Sequence, residues 1–143
     1  MRIADTKGTL GELGITRTIN AAGNMTILGG SMLSSEIQAA MAEANESFVD
    51  MEELLDKSGR AIAETLGTEA ALVTSGCFAA LVLGTAAIMA GKNADNIARL
   101  PDTTGMRNEM LIQASTRYHY DRAVSVAGAK LIEVGDPSRT TAE

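Results

Sequence analysis

The sequence predicts an α/β protein with a mainly parallel sheet, and three observations support this prediction. Strand and helix patterns alternate near the end of the chain, with strands at 109–113 and 130–134 around a helix at about 120–127. Hydrophobic residues make up 45% of the 143 residues but aromatic residues only 3%, so the core must be aliphatic, as in helix-covered sheets. Residues 76–90 form a helix pattern that is apolar on all sides, which predicts a buried helix. Together these features indicate βαβ organisation.

Residues 1–18 are predicted to form an extended amino-terminal arm, separate from a domain at 19–143. Three glycines in the arm disfavour a helix, which leaves a possible short strand at 15–19. The next stretch, to residue 31, is rich in glycine and amide side chains and could either approach a ligand or only connect elements. The candidate ligand contacts in this stretch are Asn20, Gly29 and Gly30.

Two amphipathic helices are predicted next. Ser35 followed by Gln38 forms a capping-box pattern for a helix that reaches about residue 48. A second helix begins after Asp50 and has a broad apolar stripe opposite a charged face. Gly67 is expected to end this second helix.

The centre of the sequence, residues 70–81, predicts a strand, a tight turn and the start of the apolar helix. At such a junction, unpaired backbone N–H groups and the positive end of the helix dipole favour an anion such as phosphate. Thr74 and Ser75 add hydroxyl donors before Gly76 and Cys77. The alternative is an ordinary helix N-cap, because serine followed by glycine is common there without a ligand. Cys77 is expected to be a small buried packing residue rather than a nucleophile.

A polar connection is predicted at 93–108, before the strand that leads to Ser115. Ligands of parallel sheets bind at the carboxyl ends of strands, where both Ser75 and Ser115 are predicted to lie. His119 lies between two tyrosines. It could stack on a ring or form a hydrogen bond near the site, or it could have a structural role. No metal-spaced cluster of histidine and cysteine is present, so no metal site is predicted.

The net charge of −6 disfavours extended contact with nucleic acids or anionic membranes, although a local anion site is compatible with it. One cysteine cannot form an internal disulfide framework. The sequence has neither a signal-peptide pattern nor an apolar run of transmembrane length, and we therefore expect a cytoplasmic protein.

Four segments occur in an order and spacing that identify a family. They are Ile19-Asn20-Ala21-Ala22-Gly23, Thr74-Ser75-Gly76-Cys77, Tyr120-Asp121-Arg122-Ala123-Val124, and Ala127-Gly128-Ala129-Lys130-Leu131-Ile132-Glu133-Val134-Gly135 followed by Ser138-Arg139-Thr140. With them the chain resembles the selenocysteine-synthase-like family of fold-type-I pyridoxal-phosphate enzymes. That family includes L-seryl-tRNA(Sec) selenium transferase and D-glucosaminate-6-phosphate ammonia-lyase. The resemblance implies the amino-terminal part of an aspartate-aminotransferase-like large domain.

The resemblance also implies pyridoxal 5′-phosphate as cofactor and assigns roles to residues. The cofactor phosphate would be held by Thr74, Ser75, Gly76 and Cys77. Ser115 and Thr116 would lie over the pyridine ring, but many relatives carry a His-Arg pair where Thr116 and Arg117 stand, so stacking could move to Tyr118 or His119. The small-molecule substrate would be approached by Asn20, Gly29, Gly30 and Arg117, in a site that fold-type-I enzymes commonly build at the interface of a homo-oligomer.

The resemblance predicts no catalytic residue in this chain. Family members are longer, and their Schiff-base lysine comes after the matching region; none of Lys7, Lys57, Lys92 and Lys130 corresponds to it. The predicted function is therefore the amino-terminal segment, inactive alone, of a lyase or transferase for a small amino acid or amino-sugar acid. One alternative is L-seryl-tRNA(Sec) selenium transferase, disfavoured because fewer than twenty residues precede Ile19. The other is a non-catalytic Rossmann-like module that binds a phosphate or nucleotide.

Overall fold

A computed structural model describes the chain at residues 2–3 and 8–141. The chain divides into two units, Met1–Asp50 and Met51–Glu143. The predicted boundary after residue 18 stays a prediction. None of the helices in the described residues is long and apolar enough to cross a membrane.

The first unit begins with short elements. Strands β1 (Arg2–Ile3) and β2 (Arg17–Thr18) pair antiparallel, and α1 (Gly8–Glu12) lies between them in sequence. The prediction that the arm has no helix is therefore wrong. Two of its three glycines lie at the helix boundaries, and Gly14, with φ 68°, ends the helix by donating its N–H to the carbonyl of Gly11.

A 3₁₀ turn at Thr26–Leu28 and helix α2 (Ser35–Ala44) complete the first unit. The predicted cap of α2 is wrong by one residue, because the Ser34 hydroxyl accepts the Ile37 N–H at 3.4 Å. Gln38 instead donates its side-chain N–H to the Leu33 carbonyl at 2.8 Å. The helix also ends earlier than the predicted residue 48.

The second unit contains the longer helices and the parallel strands. Helices α3 (Met51–Leu66) and α4 (Cys77–Ala90) lie close to their predicted bounds. Strands β3 (Glu109–Gln113) and β4 (Lys130–Val134) have the predicted bounds and pair in parallel, with Glu109 opposite Lys130 and Gln113 opposite Val134. Between them, α6 (Arg122–Val126) packs against α4 and β4, and α5 (Ala94–Arg99) precedes β3. This arrangement confirms the predicted α/β fold class with a parallel sheet.

Three predictions for the second unit are wrong. Residues 70–74 have no strand pairing in the part of the chain that the structure describes, because a strand requires a hydrogen-bonded neighbour and β3 pairs there only with β4. The polar connection at 93–108 contains α5, which the Asn93 side chain caps by accepting the Asn96 N–H at 3.0 Å. Helix α4 is buried only in part, since Leu83 and Ile88 are exposed.

The core of the second unit consists of small residues. Met89, Ala127 and Ala129 form its buried cluster, and partly buried side chains pack against them: Val82, Ala86, Leu100, Met110 and Val124. The chain at Gly128 approaches the Pro101 backbone so closely that a Cβ there would lie 2.2 Å from the Pro101 carbonyl oxygen. This close packing fixes the start of β4 beside the loop before β3.

Candidate functional site

The turn before α4 carries the polar groups that the sequence predicts there. Gly76 is the N-cap of α4, with φ 138° and ψ 172°, a conformation that favours glycine. The Thr74 hydroxyl donates a hydrogen bond to the Gly76 carbonyl at 3.0 Å, which stabilises the turn. The adjacent Ser75 is exposed, and its hydroxyl has no hydrogen-bond partner among the described residues.

The first turn of α4 offers a set of donors without an acceptor. The first N–H groups of a helix have no intrahelical partner, and here neither a side-chain cap nor an acidic residue satisfies them. A Cβ at Gly76 would meet no heavy atom within 4 Å, so the space in front of the turn is open. Backbone N–H groups, a free hydroxyl and the positive end of a 14-residue helix form a donor set that suits a phosphate group. Cys77 is exposed at this turn, so its predicted burial is wrong: the first turn of α4 faces outward.

Ser115 and Thr116 lie in a 3₁₀ turn, Ala114–Thr116, that directly follows β3. The Thr116 hydroxyl donates to the Gln113 carbonyl at 3.3 Å, whereas the Ser115 side chain is exposed. Because β3 and β4 are parallel, this turn lies at the same edge of the sheet as the turn that follows Val134.

Three rings form what we call the aromatic cluster: Tyr118, His119 and Tyr120. The His119 ring centroid lies 4.0 Å from that of Tyr118 and 4.1 Å from that of Tyr120, with tilted planes. The two tyrosine rings meet edge to face at 5.3 Å. Both tyrosines are exposed, so the cluster presents ring surface outward from the connection between β3 and α6.

Arg117 is paired with two carboxylates, and we call Arg117, Asp121 and Glu133 the ionic cluster. Arg117 Nε donates to Asp121 Oδ2 at 2.7 Å, and Nη1 donates to the Glu133 carboxylate. The hydrogen bond that Arg117 donates to Asp121, followed by the charge of Glu133, raises the pKa of Arg117. The Arg117 hydrogen bond, followed by that of the Tyr118 N–H, lowers the pKa of Asp121.

The sequence analysis did not single out Asp121 or Glu133 as partners of Arg117. The four-residue spacing from Arg117 to Asp121 was not a signal, because Tyr118 between them is extended and the two residues do not share a helix. Glu133 lies sixteen residues from Arg117, and its approach depends on the pairing of β4 with β3.

In the first unit, Asn20, Gly29 and Gly30 line one cavity of about 920 Å³, together with Arg17. The Asn20 amide donates to the Gly23 carbonyl at 2.7 Å, and its oxygen accepts the Ala22 N–H at 2.9 Å. The structure thus brings together the three residues that the sequence selected in this loop. Asn20 keeps one side-chain N–H beyond these two local bonds.

A second cavity, of about 420 Å³, was not predicted. It lies in the second unit, and Asp102, Thr104 and Lys130 are among the residues that line it. The hydroxyl and N–H of Thr104 bond to Asp102 Oδ1 at 2.7 and 3.0 Å and lower the pKa of Asp102. Because Lys130 begins β4, this cavity lies at the amino end of the strands, opposite Ser115.

The parallel β3–α6–β4 unit and the donor-rich turn before α4 define an α/β protein whose polar groups gather at helix and strand ends. No family model matches the sequence. The sequence is 31% identical over 134 residues to D-glucosaminate-6-phosphate ammonia lyase of Salmonella typhimurium. This match covers 91% of this chain and 36% of the relative. It is 33% identical over 134 residues to 5′-C-glycyluridine monooxygenase-decarboxylase of a Streptomyces species. This second match covers 90% of this chain and 34% of the relative.

The fold gives the same result. A solved structure of D-glucosaminate-6-phosphate ammonia-lyase matches with a TM-score of 0.90 and 30% identity, and the match covers 96% of this chain and 38% of that one. The sequence and the fold therefore both resemble part of D-glucosaminate-6-phosphate ammonia lyase, which confirms the predicted resemblance. The chain spans slightly more than a third of the length of the relatives that it matches.

Proposed function

We propose that this chain supplies the cofactor-phosphate site of a pyridoxal-phosphate-dependent lyase that acts on an amino-sugar acid. The observation that supports this most directly is the first turn of α4. Its free N–H groups, the unpartnered Ser75 hydroxyl and the absence of a Cβ at Gly76 suit a phosphate monoester. When bound, pyridoxal phosphate supplies an electron sink for bonds at the amino-bearing carbon of the substrate.

The residues of this chain would bind and orient the cofactor. Thr74 holds the turn through its bond to Gly76, while Ser75 and the N–H groups from Cys77 onward donate to phosphate oxygens. Ser115, Thr116 and the aromatic cluster would contact the pyridine ring, with His119 as the central ring of that cluster. We expect the covalent step to need a lysine outside this chain, as the family resemblance implies.

The substrate class is proposed from the two relatives. The name of one describes an amino-sugar acid phosphate, and the name of the other a glycyl group attached to a nucleoside. Both names combine an amino acid with a sugar-derived group, so we propose an amino acid with a hydroxylated side chain. Asn20, with its remaining N–H, and the backbone at Gly29 and Gly30 would bind its hydroxyl groups in the cavity of the first unit.

The binding test uses pyridoxamine 5′-phosphate, which has no aldehyde and so cannot react with surface lysines. We expect binding by the wild-type protein, and a loss of at least tenfold in affinity for Gly76→Val, because a β-branched residue is strained at φ 138° and would stand in front of the turn. Gly84→Val is the matched control, since Gly84 lies in the same helix with open space around it. Equal affinity of both variants would contradict the site.

The same titration separates the alternatives. Binding of inorganic phosphate or a nucleotide, but not of pyridoxamine 5′-phosphate, would favour the non-catalytic phosphate-binding module. Tight, salt-sensitive binding of seryl-tRNA by the family-length protein would favour the selenium transferase. The charge of −6 makes this second outcome the less expected one.

A second candidate reaction is oxidative decarboxylation, because the identity to the monooxygenase-decarboxylase is as high as that to the lyase. The family-length protein, loaded with pyridoxal phosphate, distinguishes the two reactions by product. A lyase releases ammonia without consuming oxygen, whereas the alternative consumes oxygen and releases carbon dioxide. Assembly into a homo-oligomer and a cytoplasmic location are part of the proposal, and sedimentation and cell fractionation test them.

A further inference from the structure

We propose that Arg117 is a positioning residue: through Asp121 and Glu133 it fixes the aromatic cluster at the carboxyl edge of β3 and β4. This differs from the role of substrate ligand that the family resemblance implies for Arg117. The structural part of the proposal concerns this chain alone, whereas the part about ligands rests on the function proposed above.

The residues of the ionic cluster lie on both sides of the aromatic cluster in the sequence and bond to one another across it. Asp121 Oδ2 accepts both Arg117 Nε at 2.7 Å and the Tyr118 N–H at 2.9 Å, so one oxygen joins the residue before the cluster to the first residue within it. Arg117 Nη1 reaches Glu133 on β4. Arg122 adds a further bond from Nε to the His119 carbonyl at 2.9 Å. The segment at 117–122 is therefore attached both to itself and to the neighbouring strand.

The charges of the ionic cluster argue against a direct ligand role for Arg117. One guanidinium faces two carboxylates, so the group carries a net charge of −1 before any ligand arrives. An anionic substrate group would have to displace at least one carboxylate from Arg117. The raised pKa of Arg117 and the lowered pKa of Asp121 agree with a pair that is satisfied within the chain.

The Arg117–Asp121 pair is also more shielded than an ordinary surface ion pair. The Asp121 side chain is only 15% exposed, and fully exposed pairs contribute little because water and salt screen them. By contrast, the backbone bonds of this segment are local turn bonds, from the Asp121 N–H to the Tyr118 carbonyl at 3.0 Å and from the Arg122 N–H to the Tyr120 carbonyl. We infer that side-chain contacts, rather than backbone pairing, order the three rings.

The composition of the chain makes this inference directly measurable. The sequence has two tyrosines and no tryptophan, and both tyrosines are in the aromatic cluster. Near-ultraviolet circular dichroism in the tyrosine band, and tyrosine fluorescence quenching by acrylamide, therefore report on this one segment. Far-ultraviolet circular dichroism reports separately on the helices.

We expect Arg117→Gln to lose at least half of the tyrosine circular dichroism and to become at least twofold more sensitive to acrylamide, with the helical signal unchanged. Arg117→Lys keeps the charge but cannot donate to Asp121 and Glu133 from two nitrogens of one planar group. It should therefore retain an intermediate tyrosine signal. Arg107→Gln removes the same charge from an exposed residue before β3 and is the matched control. It should match the wild type.

A wild-type tyrosine signal in Arg117→Gln, or the absence of any such signal in the wild-type chain, would overturn the proposal. If Arg117→Gln loses its helical signal, Glu133→Gln provides the test, because it removes one contact at an exposed carboxylate and leaves Asp121 paired. Glu133→Gln should then shift both tyrosine measurements in the same direction. An unchanged result for this variant would also overturn the proposal.

Ligand binding forms a separate arm of the test. With the rings disordered, Arg117→Gln should bind pyridoxamine 5′-phosphate at least threefold more weakly than Arg107→Gln. A loss of affinity without any change in the ligand-free tyrosine signals would show that Arg117 contacts the ligand directly, which contradicts a positioning role. If the wild-type chain does not bind the probe, the proposed function fails while the spectroscopic result for the ionic cluster still stands.

Discussion

At the scale of single residues, two adjacent hydroxyls have different environments. The Thr74 hydroxyl is used within the turn, where it donates to the Gly76 carbonyl at 3.0 Å. The Ser75 hydroxyl has no such partner in the described part of the chain and lies beside the free N–H groups of α4. A hydroxyl that has no internal partner can bind a ligand without breaking a bond in the fold, so Ser75 is the better probe of the phosphate site.

We expect Ser75→Ala to weaken binding of pyridoxamine 5′-phosphate by about 1.5–3 kcal/mol, the usual size of a hydrogen bond to a charged group. Calorimetric titration measures this change. Ser47→Ala, at an exposed serine of the first unit, is the control and should bind as the wild type does. A normal affinity for Ser75→Ala would place the phosphate elsewhere.

A second residue-scale prediction concerns Asp136, in the turn after β4. Asp136 Oδ1 accepts the Ser138 N–H at 2.7 Å and the Arg139 N–H at 3.0 Å, as well as the Ser138 hydroxyl. The Ser138 hydroxyl, followed by these backbone N–H groups, lowers the pKa of Asp136. The stabilisation is therefore complete above the unfolded pKa of about 4 and is lost as the pH falls through the lower pKa of the folded state.

Urea denaturation of the wild type and of Asp136→Asn at pH 6 and pH 3 tests this sign. The wild type should be the more stable at pH 6, and the difference should shrink at pH 3, which lies below the pKa of about 4 that Asp136 has in the unfolded chain. The same difference at both pH values would mean that the ionised form of Asp136 does not stabilise the turn.

At the scale of elements, the packing of α3 against residues 70–74 explains a glycine within a helix. A Cβ on Gly59 would lie 2.4 Å from the Ala71 carbonyl oxygen, a backbone atom that cannot move aside easily. Gly84 in α4 is also helical, but nothing lies within 4 Å of its Cβ position. Packing thus requires glycine at position 59, whereas position 84 has space for a side chain.

Gly59→Ala should lower the free energy of unfolding by about 1–3 kcal/mol, as overpacking usually does. Gly84→Ala should raise it by about 0.5–1 kcal/mol, because alanine has the higher helix propensity. Urea denaturation of both variants measures these changes. Stabilisation by Gly59→Ala would show that α3 does not press against Ala71 in solution.

The sequence predicted correctly those helices and strands that are determined by the pattern of their own consecutive residues. The stripe of α3, the apolar run of α4 and the strands β3 and β4 could all be read from consecutive residues. Residues 70–74 have the same apolar character as β3, but their pairing depends on a neighbour that local sequence does not specify. For the candidate site, the Ser75–Gly76 turn was local, whereas the approach of Glu133 to Arg117 depends on strand register.

Two further predictions, the cap of α2 and the absence of a helix at 93–108, were wrong because the local sequence is ambiguous there. Ser34 and Ser35 are adjacent potential caps, and only the extended backbone of Ser34, with ψ 161°, decides between them. Helix α5 is six residues long and lies in a polar stretch before Pro101, so its Asn93 cap was the single clear indication. Short helices with one cap are below what periodicity can detect.

At the scale of the whole molecule, the described residues bury few large side chains. The buried hydrophobic residues are five alanines and Met89, and no large side chain is almost completely buried. Long apolar side chains on α4 remain exposed, including Ile88 at 76% and Leu83 at 50%. Because the chain spans only slightly more than a third of its relatives, we propose that other parts of a family-length protein cover such surfaces.

We therefore expect the 143-residue chain to self-associate through these exposed apolar side chains when it is prepared alone. At roughly 25 cal/mol per Å², about 400 Å² of uncovered apolar surface corresponds to about 10 kcal/mol, which is comparable to the stability of a whole domain. Sedimentation velocity should show oligomers, and Ile88→Lys should reduce them, because it places a charge on an exposed apolar position of α4. Glu64→Gln, on the exposed charged face of α3, changes the net charge by the same one unit, so it is the control and should not reduce association. A monomeric wild-type chain with a sharp cooperative melt would show instead that its small core suffices for an independent domain.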